Sequence, residues 1–191
     1  ERSDIITYEI ESGDSTVLKS LESTCEINPS PETLRIIQDK LTQKKFLNDN
    51  NIPVAKFSEI SSRIELEAKI NEFGFPVLLK TRRDAYDGRG NFKINSKEQI
   101  SIALKTFEGK SLMVEEFIDF KMEVSVIAAR STTGEIKTFP VVENIHEDNI
   151  LKMTIAPARI SDEVSKKAEE IAHKTMEVLH GAGVFGIEMF V

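Results

Sequence analysis

The sequence predicts an α/β chain in which helices and short strands alternate and part of the sheet runs antiparallel. Three observations carry that expectation. Segments opening at Pro31, Ser62, Ser96 and Ser161 repeat apolar residues at helical spacing, with capping signals at Ser30, Ser96 and Ser161. Between them lie short runs that alternate or cluster as strands do, such as FPVLLK, SLMVEEF and KMEVSVIAAR. Two hairpins in succession between Lys121 and Ile160 imply an antiparallel face.

In order, residues 4–10 (DIITYEI) alternate as a short strand with Glu9 and Glu11 at its C-terminal end, where open α/β sheets place ligand contacts. A solvated strand end is the other reading of those glutamates. Ser30 caps the first clear helix, Pro31 suits its first position, and Glu32 complements the positive end of its dipole. Leu34, Ile37 and Leu41 recur along it, which extends the expected helix to about Asn48 and places Lys40 between two core positions. Asn50-Asn51-Ile52-Pro53 turns the chain into a strand over residues 54–57, and a helix over 62–73 follows, with Ile64, Ala68 and Ile70 apolar and Gly74 ending it.

Ser96 opens a helix over residues 97–107, and Glu108-Gly109-Lys110 turns into a strand over 111–117. Residues 121–130 are rich in strand formers; Thr132-Thr133-Gly134-Glu135 then leads into a strand over 136–143, with another over 149–160. Ser161, Asp162 and Glu163 start the last helix, whose Val164, Ala168, Ile171, Ala172, Thr175 and Leu179 form one stripe before Gly181. Residues 184–191 read as a buried strand.

The 191 residues, 40% hydrophobic and 30% charged, suffice for one sizeable core or two small ones. A net charge of −7, with no tryptophan and no aromatic-rich basic patch, argues against a nucleic-acid partner. No window approaches a membrane span, and ERSDII lacks the features of a signal peptide. The single Cys25 cannot form an internal disulfide and suits a reducing cytoplasm. A start without Met and an end at GIEMFV, inside an expected buried strand, lead to the expectation of a piece of a longer chain.

The stretch FPVLLKTRRDAYDGRGNFKI, residues 75–94, is the organising feature: two strands joined by a charged loop in which Gly88 and Gly90 flank Arg89. Glycines permit positive φ and let main-chain N–H groups approach an anion closely, and Lys80, Arg82, Arg83 and Arg89 concentrate positive charge in an acidic protein. A polyphosphate would use such a loop. Asp87-Gly88 is equally an ordinary hairpin turn with solvated basic residues, so both readings stand at this point. No Gly-Lys-Ser/Thr follows, and a strand rather than a helix comes next, which excludes a P-loop and a Rossmann fingerprint.

Longer motifs add to this. IQDKLTQKKFL (37–47), KTRRDAYDGRGN (80–91), VEEFIDF (114–120), FPVVENIHEDNIL (139–151), APAR (156–159) and VFGIEMFV (184–191) together resemble the ATP-grasp enzymes, and within them the N5-carboxyaminoimidazole ribonucleotide synthetases, the ATPase subunit of phosphoribosylaminoimidazole carboxylase. The second and fourth motifs are specific in combination. The resemblance implies the end of an N-terminal doubly wound domain over residues 1–29, then most of an α+β ATP-grasp domain over 30–191, cut short at both ends, with a mobile lid at about 74–118 and ATP lying between two subdomains.

The resemblance also assigns roles. Lys40 and Lys80 match the two cations that reach the nucleotide phosphates, and Ala85, Tyr86, Asp87, Gly88, Arg89, Gly90 and Asn91 match the loop closing over them. Main-chain donors and fixed cations would stabilise charge on the transferring phosphoryl group. Glu115, Glu116, Phe117 and Ile118 match the hinge beside the adenine, with Glu115 accepting from its exocyclic amine. Glu123 matches the carboxylate on the ribose hydroxyls and His146 a histidine near the nucleotide. Glu188 matches the first of two acidic Mg²⁺ positions, and a glutamate buried unpaired in VFGIEMFV would be costly, which favours the metal. Tyr86, Asp87 and Arg89 match the catalytic side of the loop, facing the second substrate and bicarbonate, and Glu9 a contact to the nucleotide substrate. Glu11 is followed by Ser12-Gly13 where the family continues with His or Asn and Val, a departure in that contact.

The activity implied is ATP-dependent carboxylation of 5-aminoimidazole ribonucleotide with bicarbonate through carboxyphosphate, in a homodimer acting with a mutase as partner or fused domain. The Asn-Glu dipeptide that completes the metal site in the family lies outside the 191 residues, so this segment alone is expected to be inactive. Two alternatives stand beside it: a formate-dependent glycinamide ribonucleotide formyltransferase, which would carry a serine-rich loop ending Gly-Lys-Gly in place of AYDGRGN, and a non-catalytic nucleotide-binding module.

Overall fold

A computed structural model describes residues 3–9, 11–83 and 88–191. Along the chain run β1 (Ile5–Ile6), α1 (Ser15–Leu21), β2 (Glu26–Ile27), α2 (Pro31–Ile37), α3 (Lys40–Asp49), β3 (Phe57–Ile60), α4 (Arg63–Phe73), β4 (Val77–Thr81) and β5 (Asn91–Ile94). A 3₁₀ turn (Lys97–Gln99), α5 (Ile100–Thr106), β6 (Leu112–Glu116), β7 (Glu123–Arg130), β8 (Ile136–Thr138), β9 (Val142–Glu147), β10 (Ile150–Ile155), α6 (Asp162–Val178) and β11 (Gly183–Phe190) follow. The chain divides into two compact units: Asp39–Asp49 with Pro53–Asp119, and Glu1–Gln38 with Asn50–Ile52 and Phe120–Val191. Among the described residues, no helix is long and apolar enough to cross a membrane.

The first of these units is built on an antiparallel sheet of order β3-β6-β4-β5. Alternation on its strands separates two faces. Ile60, Leu112, Val114, Val77, Leu79 and Ile94 form one, which packs with Leu66 and Ile70 of α4 and Ile100 and Ala103 of α5 into a core. Each such side chain is worth about 1.5–3 kcal/mol when fully buried. Met113, Lys80 and Glu115 belong to the other face, because Lys80 pairs with Met113, and Leu78 with Glu115, across β4 and β6.

In the second unit, β10-β9-β7-β11 form an antiparallel sheet with β8 alongside β7. Val124 and Val126 turn inward onto Ala168 and Ala172 of α6, so the alternate residues Glu123 and Ser125 lie on the opposite face. The β9–β10 hairpin turns through Asp148 and Asn149, with φ of 51° and 63°, which suits the left-handed tolerance of those residues. A short parallel pair, β1 with β2, lies at the other end of the unit's sequence.

Several boundaries differ from expectation for identifiable reasons. The helix expected from Pro31 to about Asn48 is two helices, because the Asp39 carboxylate accepts from the N–H groups of Leu41 (3.0 Å) and Thr42 (3.1 Å) and so starts a new helix. Ile36, not Ile37, is the buried neighbour of Leu34. The strand expected over residues 54–57 is Phe57–Ile60, set by pairing with β6, and of the described residues 4–9 β1 keeps only Ile5 and Ile6. On α4, Leu66 is buried while Ile64 is 79% exposed. The helix expected over 97–107 begins as a 3₁₀ turn in which the Ser96 side chain accepts no capping hydrogen bond. β11 alternates between half-buried and exposed residues and is not a buried strand.

Candidate functional site

In the unit containing β4, the chemistry concentrates on one buried acid. Glu115 is 5% exposed. The Lys80 ammonium lies 2.8 Å from its Oε2 and the Lys44 ammonium 3.1 Å from its Oε1. Among the described residues Oε1 makes no hydrogen bond, so Lys44 holds it by charge alone. Lys80 comes from β4, Glu115 from β6, and Lys44 from α3 one turn after Lys40. Lys80 was expected from the sequence and Lys44 was not; the i, i+4 spacing of Lys44 from Lys40 on one helix is the signal that could have found it. Lys40 itself is half-buried, and its main-chain N–H donates to Arg82 O (2.9 Å).

Arg82 and Arg83, read from sequence as loop cations for a polyphosphate, are committed elsewhere. Arg82 donates to Asp39 through Nε (3.1 Å) and Nη2 (2.7 Å) and to Glu59 through Nη1 (2.6 Å), while Arg83 Nε reaches Asp39 Oδ2 at 3.3 Å. Asp39 is buried, which raises its pKa, but the hydrogen bond from Arg82, the Thr42 N–H and the Arg82 charge outweigh this and hold it below the ordinary value. The pair fixes the start of α3 to the end of β4.

Beyond β4 the chain enters the glycine loop. Gly88 has φ of 74°, and its carbonyl accepts from the N–H groups of Gly90 and Asn91. Gly90 is buried and its carbonyl accepts from Thr81 N (2.8 Å), which closes the loop onto β4. Arg89 is exposed, and Asn91 sits opposite Lys80 in the ladder. Ala85, Tyr86 and Asp87 lie outside the described residues.

The expected hinge follows β6. Glu116 points to the face opposite Glu115, where its Oε1 accepts from Lys56 N (2.8 Å) and its Oε2 lies 3.2 Å from the Lys56 ammonium. The Lys56 N–H holds its pKa below the ordinary value. Glu116 therefore braces the strand. Phe117 carries the Lys93 ammonium 3.6 Å from its ring centroid, and Ile118 is half-buried.

The other unit presents its own polar face. Asn144 donates to Ser125 Oγ (3.0 Å) and accepts from Thr154 (3.2 Å). His146 Nδ1 is 3.4 Å from Glu123 Oε1, an oxygen that makes no hydrogen bond among the described residues. Glu188 pairs with Ser125 across β7 and β11, which puts it on the same face as Glu123. Burial first, then the charge of Glu188, raise the Glu123 pKa, against His146 and Asn144. Glu188 is exposed, so the argument that it would be costly to bury does not apply: β11 is covered on one side only and Glu188 faces the open one. Among the described residues, no cluster of three or more His, Cys, Asp or Glu could hold a metal. Glu9 is exposed, beyond the end of β1. The departure at Ser12-Gly13 is anchored by Gln38, whose Nε2 donates to Glu11 O (2.7 Å) and to Gly13 O.

The chain can be compared with known proteins on this basis. It is 41% identical over 191 residues to the phosphoribosylaminoimidazole carboxylase of Ogataea methanolica, covering 98% of this chain and 35% of that protein. A crystal structure of carboxyaminoimidazole ribonucleotide synthase from Aspergillus clavatus complexed with ATP superposes with a TM-score of 0.94 at 40% identity, over 98% of this chain and 50% of that one. The N5-carboxyaminoimidazole synthase from Aspergillus clavatus in complex with ADP and 5-aminoimidazole ribonucleotide gives 0.91 at 38%, over 98% and 49%. The chain thus spans between a third and a half of the length of these relatives. The ATP-grasp domain matches residues 45–191, which takes in Lys80, the glycine loop, Glu115, Glu123 and Glu188, and the chain belongs to the ATP-grasp family.

Proposed function

We propose that the protein carrying this chain uses MgATP to carboxylate 5-aminoimidazole ribonucleotide with bicarbonate. The observation that carries this reading is the placement of two lysines on one buried carboxylate at the sheet face that continues into the glycine loop. Such a face offers fixed positive charge to a polyphosphate, and the relatives bound to ATP, ADP and 5-aminoimidazole ribonucleotide support the choice of ligand.

Lys80 and Lys40 reach the phosphates, with the main-chain N–H groups of the glycine loop beside them. In-line attack of a bicarbonate oxygen on the γ-phosphorus breaks the bond to the β-phosphate oxygen, releasing ADP and giving carboxyphosphate. The exocyclic amine of the ribonucleotide then attacks the carboxyl carbon; phosphate leaves and the amine loses a proton. Positioning and charge stabilisation drive the first step, and exclusion of water protects the intermediate. Arg89, with Tyr86 and Asp87, orients bicarbonate and the amine, and Glu9 contacts the ribonucleotide.

Glu115 and the main chain of Phe117 and Ile118 receive the adenine edge. Glu123 accepts from the ribose hydroxyls, with His146 beside it. Glu188 supplies an exposed carboxylate of the type that Mg²⁺ takes together with phosphate oxygens, so the residues present fit one part of such a site. A bound Mg²⁺ would neutralise phosphate charge. We assign residues 1–29 to a preceding domain, place the reaction in the cytoplasm, and infer a homodimer that works with a mutase.

The test is ADP release by the intact protein. Turnover that needs bicarbonate and 5-aminoimidazole ribonucleotide together, and is lost in Lys80→Ala, supports the reading. Turnover with formate and glycinamide ribonucleotide instead would replace it with the formyltransferase.

A further inference from the structure

We infer that Lys44 is the standing counter-ion of Glu115, and that its presence allows Lys80 to leave that carboxylate for an anionic ligand. Glu115 carries one charge and holds two ammoniums, with side-chain exposures of 21% for Lys44 and 19% for Lys80. One cation would neutralise it. The surrounding charges do not call for a second: Glu59 is engaged by Arg82 and Lys45, Asp39 by Arg82 and Arg83, and Lys93 rests over Phe117.

The second cation matters when the first moves. Removing the sole partner of a buried acid strands an uncompensated charge, and that cost would oppose any ligand drawing Lys80 away. With Lys44 in place, Glu115 stays paired and the departing ammonium only exchanges one anion for another. Lys44 is suited to remain. It stands on a helix whose start is clamped by Asp39, and it faces Oε1, the oxygen Lys80 does not use. Lys80 stands on β4, which continues into the glycine loop through the Thr81–Gly90 bond. Lys44 is thus a positioning residue acting through Glu115 on Lys80. The identity of the ligand as a nucleotide rests on the function proposed above; the ion triad does not.

Two arms separate these. The first is stability without ligand: Lys44→Met and Lys80→Met each leave Glu115 one partner, whereas the double variant leaves none. The double variant is expected to shift the unfolding equilibrium constant at least about fivefold more than the product of the single effects. Simple multiplication of the two overturns the inference whatever the ligand. The second is the KM for MgATP in the intact protein. Lys44→Met is expected to raise it about tenfold or more, since Lys80 is then held as the sole partner of Glu115. Glu115→Gln has its own effect on KM, because that residue also receives the adenine, so it serves as a background: there Lys44→Met is expected to change KM less than about twofold, since no carboxylate then holds Lys80. A direct Lys44 contact with phosphate, or a general packing defect, raises KM as much in the Glu115→Gln background as in wild type and overturns the inference. An intact wild-type protein that shows the coupling in the first arm but does not bind MgATP removes the nucleotide reading and leaves the counter-ion role supported.

Discussion

Asp39 and Arg82 meet side on, with both carboxylate oxygens matched to two guanidinium nitrogens at 3.1 and 2.7 Å. The same carboxylate starts α3 through the N–H groups of Leu41 and Thr42, so one buried acid joins a helix to a strand end. Asp39→Asn keeps the shape and an acceptor for the cap but removes the charge facing Arg82 and Arg83, while Arg82 keeps Glu59. We expect a loss of about 1–3 kcal/mol, the range for losing charged hydrogen bonds in a partly buried site. Urea unfolding of the purified protein measures it; a change below about 0.5 kcal/mol would show that water already serves these groups.

The pH dependence of that contribution has a fixed sign. Burial raises the Asp39 pKa, but the Arg82 hydrogen bond and its companions prevail, so the folded value lies below the unfolded one, which is about 3.9. The stabilisation is fully present above the unfolded pKa and disappears as pH falls through the folded pKa. The stability difference between wild type and Asp39→Asn should be flat above about pH 5 and shrink below about pH 4. A difference that grows on acidification contradicts the assignment.

Local chemistry made much of this legible in the sequence. Ser30 and Ser161 cap the helices they were expected to cap and Ser62 caps a further one, whereas Ser96 does not, because its segment begins as a 3₁₀ turn. The β4–β5 hairpin follows from its glycine signal. What sequence could not give was partnership. Lys44 sits 71 positions before the acid it holds, Arg82 sits 43 after its own, and only the folded sheet brings them together. The burial of Glu188 was misread for a related reason: an apolar run reads the same whether a sheet is covered on one face or on both.

Glu123 and Glu188 share the open face of their sheet, and the charge of Glu188 makes ionisation of Glu123 less favourable. With burial as the leading cause and Glu188 next, the folded pKa of Glu123 lies above its unfolded value. Its contribution to stability is therefore present below the unfolded pKa and lost as pH rises through the folded one. Glu188→Gln should lower the Glu123 pKa, read from its carboxyl ¹³C shift in an NMR titration. Glu123→Gln should leave the protein at least as stable as wild type at neutral pH. An unmoved Glu123 titration in Glu188→Gln would show that the two carboxylates do not sense each other.

Gly181 combines both demands that only glycine meets. Its φ is 83°, and a Cβ there would press on the Ser30 main-chain nitrogen and lie 3.1 Å from Pro29 C. The contact is between main chains, so no side chain can turn away. The Gly181 carbonyl also accepts from Arg130 Nε (2.8 Å), and Ser30 caps α2, so a shift at this point disturbs two helix ends. Gly134 supplies the control: its φ is 90°, yet nothing lies within 4 Å of a Cβ built there. Gly134→Ala should cost about 1 kcal/mol for backbone strain alone, and Gly181→Ala about 2–3 kcal/mol or more, as strain and overlap add. Thermal unfolding of both variants checks this. Equal losses would mean that the 29–30 segment yields freely, and that α2 is not held by its approach to Gly181.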